Sequence, residues 1–82
     1  MSYFVYILEC ADKTIYIGST NDLPRRLHAH NFGKNGARYT SGRRPVIVKY
    51  TEKKRTKGLA LRREAQLKRL TRAQKLELIK SV

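Results

Sequence analysis

Negative charge is scarce in this 82-residue chain: six carboxylates stand against nineteen lysines and arginines, a net charge of +13. That imbalance bears on partners rather than on fold. It draws polyanions, of which nucleic acid is the usual one; a ribosome-bound protein or a domain with a merely basic surface is the plainer alternative. Cysteine is nearly absent as well. The single Cys10 cannot form an internal disulfide and has no neighbouring cysteine with which to hold a metal. No apolar run approaches the ~20 residues of a membrane span. No long amphipathic stretch pairs a basic face with large apolar anchors, so no membrane partner is expected. The apolar start, Tyr3 to Leu8, has no basic residue before it and no small-residue cleavage site after it, unlike a signal peptide. Internal repeats and low-complexity segments are missing too. These absences point to a cytoplasmic protein, and the length to a single domain over residues 1–82. A chain of this size buries only about 60% of its unfolded surface, so its core is small.

What is present starts with "YFVYILE", Tyr3 to Glu9, rich in β-branched and aromatic residues and expected as a strand covered on both faces. Thr14 to Ser19 is a second strand, with Ala11, Asp12 and Lys13 as the hairpin loop. With that loop, Cys10 faces Thr14, and Tyr6 and Leu8 share a face with Tyr16 and Gly18. A loop one residue shorter or longer would put Tyr6 and Tyr16 on opposite faces. Thr20, Asn21 and Asp22 are cap-type residues, and Pro24 suits a first helical turn, so a helix is expected from Leu23 to Asn31. Leu23 and Leu27 would face the core, with Arg26 and His30 on a neighbouring stripe. Phe32 to Pro45 reads as a loop, Pro45 to Thr51 as a third strand, residues 52 to 57 as a polar link, and Leu59 to Leu70 as a helix. Thr71 with Gln74 makes a capping-box pattern that starts a last helix from Arg72 to Lys80. The order ββαβαα predicts an α+β fold: a small three-stranded antiparallel sheet flanked by helices.

Few carboxylates make a short search for chemistry. Asp12 falls in a turn and Asp22 at a helix cap. Glu9 and Glu52 fall at strand ends, and Glu77 on a solvated face. Glu64 differs, because Ala60 and Leu61 lie one turn before it and Leu67 one turn after. A carboxylate among apolar neighbours is costly unless it is paired or coordinates a metal. From position alone a partner arginine is the favoured explanation. Taken singly, the tyrosines suit core or cross-strand positions, the histidines a basic helix surface, and Arg26 one more surface charge.

Taken in order, however, Tyr6, Tyr16, Arg26, His30 and Glu64 resemble the signature of the GIY-YIG nuclease superfamily. The second triplet is intact as Tyr16-Ile17-Gly18. The first stands as Phe4-Val5-Tyr6, with Phe4 where the family has glycine. "GSTNDLPRRLHAH" is similar to the segment that carries the family's arginine (Arg26) and histidine (His30), and "REAQLK" to the helix bearing its metal-binding glutamate (Glu64). "GARYT", Gly36 to Thr40, and the strand after Pro45 resemble the short, stand-alone bacterial members. Longer relatives carry an asparagine near the domain's end; none follows Glu64 here.

The resemblance implies a metal-dependent phosphodiesterase. Glu64 would hold one Mg²⁺ or Mn²⁺, which would act as a Lewis acid on the phosphate. Arg26 would bind the phosphate and neutralise transition-state charge. Tyr6 would activate the attacking water, with Arg26 and the metal favouring its phenolate. Tyr16 would hold water or phosphate, and His30 would relay a proton or bind phosphate. On the long loop, Lys34, Arg38, Arg43 and Arg44 are candidates for tracking the nucleic-acid backbone, which gives affinity without sequence information. No base-reading module is apparent. The expected substrate is therefore DNA ahead of RNA, selected by structure (branches, flaps, nicks or single strands) rather than by sequence. A non-catalytic nucleic-acid-binding module is the alternative. A subunit that takes its substrate specificity from a protein partner is a third reading.

Overall fold

Asp12 shapes the first hairpin. Its carboxylate accepts from both the Thr14 amide, at 3.1 Å, and the Thr14 hydroxyl, at 2.6 Å. Lys13 takes the left-handed conformation, with φ 71°, at the position where a three-residue hairpin loop requires it. The Cys10 amide closes the loop on the Thr14 carbonyl at 2.9 Å. This is the three-residue loop expected from the sequence, and the register follows from it: Tyr6 pairs with Gly18 and Leu8 with Tyr16.

The coordinates are a computed structural model that describes residues 2–32 and 43–81. Three strands, β1 (Tyr3–Glu9), β2 (Ile15–Thr20) and β3 (Ile47–Lys54), form an antiparallel sheet in the order β2-β1-β3. The helices are α1 (Leu23–Phe32), α2 (Lys57–Lys68) and α3 (Arg72–Lys80). The fold is the expected α+β arrangement ββαβαα. Central strand β1 is covered on both faces, which is why "VYIL" has no polar alternation; Val5 to Leu8 are at most 1% exposed.

The two faces have different covers. Val5, Ile7 and Ile17 pack with Ala60 and Leu67 of α2, and Leu78 and Ile79 of α3 close over them. Tyr6, Leu8, Cys10 and Val46 form the other cluster, against Leu23 and Leu27 of α1. A bulge in β3 serves both. Leu8 pairs with Val48 but Ile7 with Tyr50, so Lys49 is the extra residue. Val48 and Tyr50, two apart in sequence, therefore pack into opposite clusters.

The boundaries differ from the sequence expectation where charged residues have partners. β3 runs through Glu52 to Lys54 rather than ending at Thr51. Glu52 is tolerated within the sheet because Arg63 grips it at 3.0 Å, Tyr50 donates to it at 2.6 Å and Lys54 lies 3.2 Å away. Helix α2 begins at Lys57, two residues before Leu59, because the Thr56 hydroxyl caps it by accepting from the Leu59 amide at 3.2 Å. The Thr71–Gln74 capping box forms as expected. Leu61, by contrast, is 48% exposed, so the apolar setting inferred for Glu64 comes from Ala60 and Leu67 alone.

Candidate active site

Cross-strand register brings the Tyr6 and Tyr16 rings to one face of the sheet, with centroids 6.4 Å apart. Gly18 sits opposite Tyr6 and makes room for its phenol. A Cβ there would meet the Tyr6 hydroxyl at 2.6 Å and the carbon bearing it at 2.8 Å. The glycine of the "YIG" triplet is thus required by close approach of a side chain and not by its own backbone, since no glycine among the described residues has positive φ.

Helix α1 brings the basic members to the same face. Asp22 caps it: its carboxylate accepts from the Arg25 amide at 3.2 Å, and its carbonyl accepts from the Arg26 amide at 3.0 Å. One helical turn separates Arg26 from His30, so both face the tyrosines. His30 is fully buried, its ring centroid 5.1 Å from that of Tyr16 and 5.9 Å from that of Tyr6. Its Nε2 lies 3.0 Å from the Tyr6 hydroxyl. Hydrogen bonding to Tyr6, and more weakly to Tyr16, raises the Arg26 pKa. A guanidinium only donates. Arg26 thus has its donors turned toward the Tyr6 oxygen, and the Tyr6 hydroxyl shares a hydrogen bond with His30 Nε2 whose donor depends on the imidazole tautomer.

The protonation states follow. Burial, then the charges of Arg26 and Arg44, push the His30 pKa down to about 4, so the imidazole is neutral at pH 7. Burial raises the Tyr6 pKa above 10.0, and the lowering effect of Arg26 does not offset it. Arg26 thus acts on Tyr6 in the expected direction, and burial outweighs it, so Tyr6 rests as the phenol.

Glu64 reaches the site from α2, on the opposite side of edge strand β2, and is close enough to Tyr6 to contribute to its raised pKa. Ser19, at the end of β2, donates to one carboxylate oxygen at 2.7 Å, and Lys68 Nζ lies 2.7 Å from the other. The partner of Glu64 is thus a lysine one turn along and a serine, not an arginine. Ser19 carried no signal in the sequence, whereas the Glu64–Lys68 spacing of four did. Glu64 is 17% exposed and Lys68 55%. A half-exposed ammonium on a flexible stem is displaceable, so the carboxylate suits a divalent cation. No group of three or more metal-ligating side chains occurs among the described residues. The donor set fits an ion that keeps several waters and takes one carboxylate plus substrate phosphate, as Mg²⁺ does.

Phe4 leaves the strand intact where the family has glycine. It pairs with Thr20 and Lys53, on the same face as Tyr6. The expected backbone-tracking residues divide. Lys34 and Arg38, with the "GARYT" stretch, lie outside the described residues. Arg43 and Arg44 have internal partners: Arg43 Nε is 3.0 Å from Asp12, and Arg44 Nε donates to the His30 carbonyl at 2.6 Å. Asn31, unremarked in the sequence, completes that fastening. Its side chain accepts from the Val46 amide at 2.8 Å and donates to the Val46 carbonyl at 3.2 Å, a copy of a strand ladder made by one amide.

The chain is similar over most of its length to known proteins. A UPF0213 protein of Syntrophus aciditrophicus is 52% identical over 77 residues, covering 94% of this chain and 88% of that one. A UPF0213 protein of Halobacterium salinarum is 49% identical over 89% of this chain and 94% of its own. A solution structure of a protein from E. faecalis superposes with a TM-score of 0.68 at 42% identity, covering 99% of this chain and 85% of that one. The UPF0213 protein of Bacillus halodurans gives 0.62 at 41% identity, over 98% of this chain and 84% of that one. The description of the GIY-YIG catalytic domain matches residues 2–77, and the chain therefore belongs to the GIY-YIG family of nuclease domains.

Proposed function

We propose that this protein is a metal-dependent endonuclease that hydrolyses phosphodiester bonds in nucleic acid, DNA ahead of RNA, selecting substrate by structure rather than sequence. The observation that carries the reading is the gathering of two phenols, a guanidinium and a neutral imidazole on one face of edge strand β2, with one displaceably paired carboxylate beyond it whose charge is felt at Tyr6. A protein that only binds polyanions needs none of these in one place.

Mg²⁺ or Mn²⁺ held by Glu64 would polarise the scissile phosphate and stabilise the departing oxygen. Arg26 binds a non-bridging phosphate oxygen with the donors that do not reach the tyrosines. Tyr6, fixed between Arg26 and His30, accepts the proton of the attacking water at its oxygen while its own proton passes to His30 Nε2. The resting imidazole is a weak base because it is buried and because Arg26 and Arg44 face it. A bound phosphodiester offsets the Arg26 charge and raises that basicity. Tyr16, stacked edge-on to His30, orients the water or the phosphate.

A panel of labelled branched, nicked and single-stranded DNA and RNA, with Mg²⁺ or Mn²⁺, tests this. Wild type should cleave at least one member, and Glu64→Gln should bind it without cleaving. Binding to the whole panel with no cleavage under any metal would leave the non-catalytic binding module instead.

A further inference from the structure

Two clefts meet at the corner where β2 turns into α1. The larger, about 480 Å³, opens along the first turns of α1 between Arg25 and Arg26. The smaller, about 240 Å³, lies between Ser19, Tyr3 and Lys57. Thr20 and Asn21 line both, so the clefts are two arms of one channel over the end of the edge strand. Each arm ends at a member of the candidate site: Arg26 in one, and Ser19, which holds Glu64, in the other. Each arm also has one exposed cation outside that machinery, Arg25 in the first and Lys57 in the second. Elsewhere the basic residues are often committed: Lys13, Arg43, Lys54, Arg63 and Lys68 all pair with carboxylates. Among the described residues neither the Arg25 nor the Lys57 side chain has an ion-pair partner.

From this placement we infer that a nucleic-acid strand crosses the Thr20–Asn21 corner, with Arg25 and Lys57 each holding a phosphate on opposite sides of the one between Arg26 and Glu64. The inference rests on the phosphodiesterase reading and adds the path of the strand to it. Consecutive residues on a helix point about 100° apart. Arg26 can therefore turn to the tyrosines while Arg25 faces along the channel. A net charge of +13 draws polyanions to the whole surface, so the path needs a readout that counts phosphate contacts at named positions. The salt dependence of binding supplies one, because each neutralised phosphate of a single strand contributes about 0.7 to the slope of log K against log salt.

The experiment titrates a labelled single-stranded oligonucleotide with Glu64→Gln protein, which holds the probe without cutting it, across a salt series. Arg25→Gln and Lys57→Gln are added singly and together, with Lys49→Gln, exposed on distant strand β3, as the control. Each channel variant should weaken binding and lower the slope by about 0.7, the pair by about twice that, and Lys49→Gln should leave the slope unchanged. Equal slopes for all variants, or no measurable binding, overturn the inference. Failure of the nuclease reading would be seen separately, as cleavage of the probe by the Glu64→Gln protein or as inactivity of wild type on every substrate.

Discussion

Tyr6 and Gly18 face each other across β1 and β2, and the tyrosine's hydroxyl end fills the space that any side chain on Gly18 would need. A Cβ at 2.6 Å from that oxygen must push the phenol away from Arg26 and His30. Gly18→Ala is expected to keep the fold, since alanine is at home in a strand, and to lower cleavage on the order of 100-fold, the cost of a reacting group misplaced by about 1 Å. Circular dichroism and single-turnover cleavage check the two halves. Wild-type turnover would show that the phenol has no task at that position.

The buried imidazole sets an acid limit on stability. The His30 pKa is lowered from 6.5 to about 4 in the fold. The unfolded chain therefore binds the extra proton first. The stabilisation is full above about pH 6.5 and is lost as pH falls from there to about 4, on the order of 3 kcal/mol in all. Glu52, lowered from 4.5 to about 2 despite its burial by Arg63, Tyr50 and Lys54, adds a second loss from about pH 4.5 down to 2. Urea melts at stepped pH should show the first decline beginning near 6.5, and His30→Gln should remove that first segment only. Unchanged stability between pH 7 and pH 5 would contradict a neutral, desolvated His30.

Lys68 competes for the carboxylate that a divalent cation would use. Replacing it by glutamine removes an exposed pair one helical turn long, worth about 0.3–0.5 kcal/mol, so Mn²⁺ should bind about twofold more tightly. Glu64→Gln should abolish the same binding. Electron spin resonance of free Mn²⁺ measures both without any cleavage assay. Tighter binding that survives Glu64→Gln would place the ion elsewhere.

Asn31 supports the site from behind by joining α1 to the start of β3. Asn31→Ala leaves the Val46 amide and carbonyl without their partners, and Val46 is 4% exposed. Unpaired buried groups cost about 1–3 kcal/mol, and in a domain of this size each kcal/mol lowers Tm by about 4–8 °C. A melt unchanged within error would show that water replaces the asparagine.

Much of this was legible in the chain because local rules decided it. The length of the Ala11–Lys13 loop determined which tyrosines share a face, and the Thr71–Gln74 pattern placed the start of the last helix at Arg72. The ordered spacing of Tyr6, Tyr16, Arg26, His30 and Glu64 pointed to the family before any geometry was known. What escaped was whatever depends on contacts distant in sequence. Ser19 meets Glu64 from 45 residues away, and Asn31 meets Val46 from 15. Arg63 rescues Glu52 as a strand residue. Burial of Tyr6 outweighs the neighbouring charge of Arg26, and burial of His30 adds to it.

The most direct test compares binding and single-turnover cleavage of one good substrate by wild type, Tyr6→Phe and Glu64→Gln in the presence of Mg²⁺. General-base and metal contributions each amount to about 10²–10⁴-fold. Both variants should lose cleavage on that scale while affinity stays within about threefold. Cleavage that persists in both, or that falls only as far as binding falls, would contradict a hydrolytic centre built on these two residues.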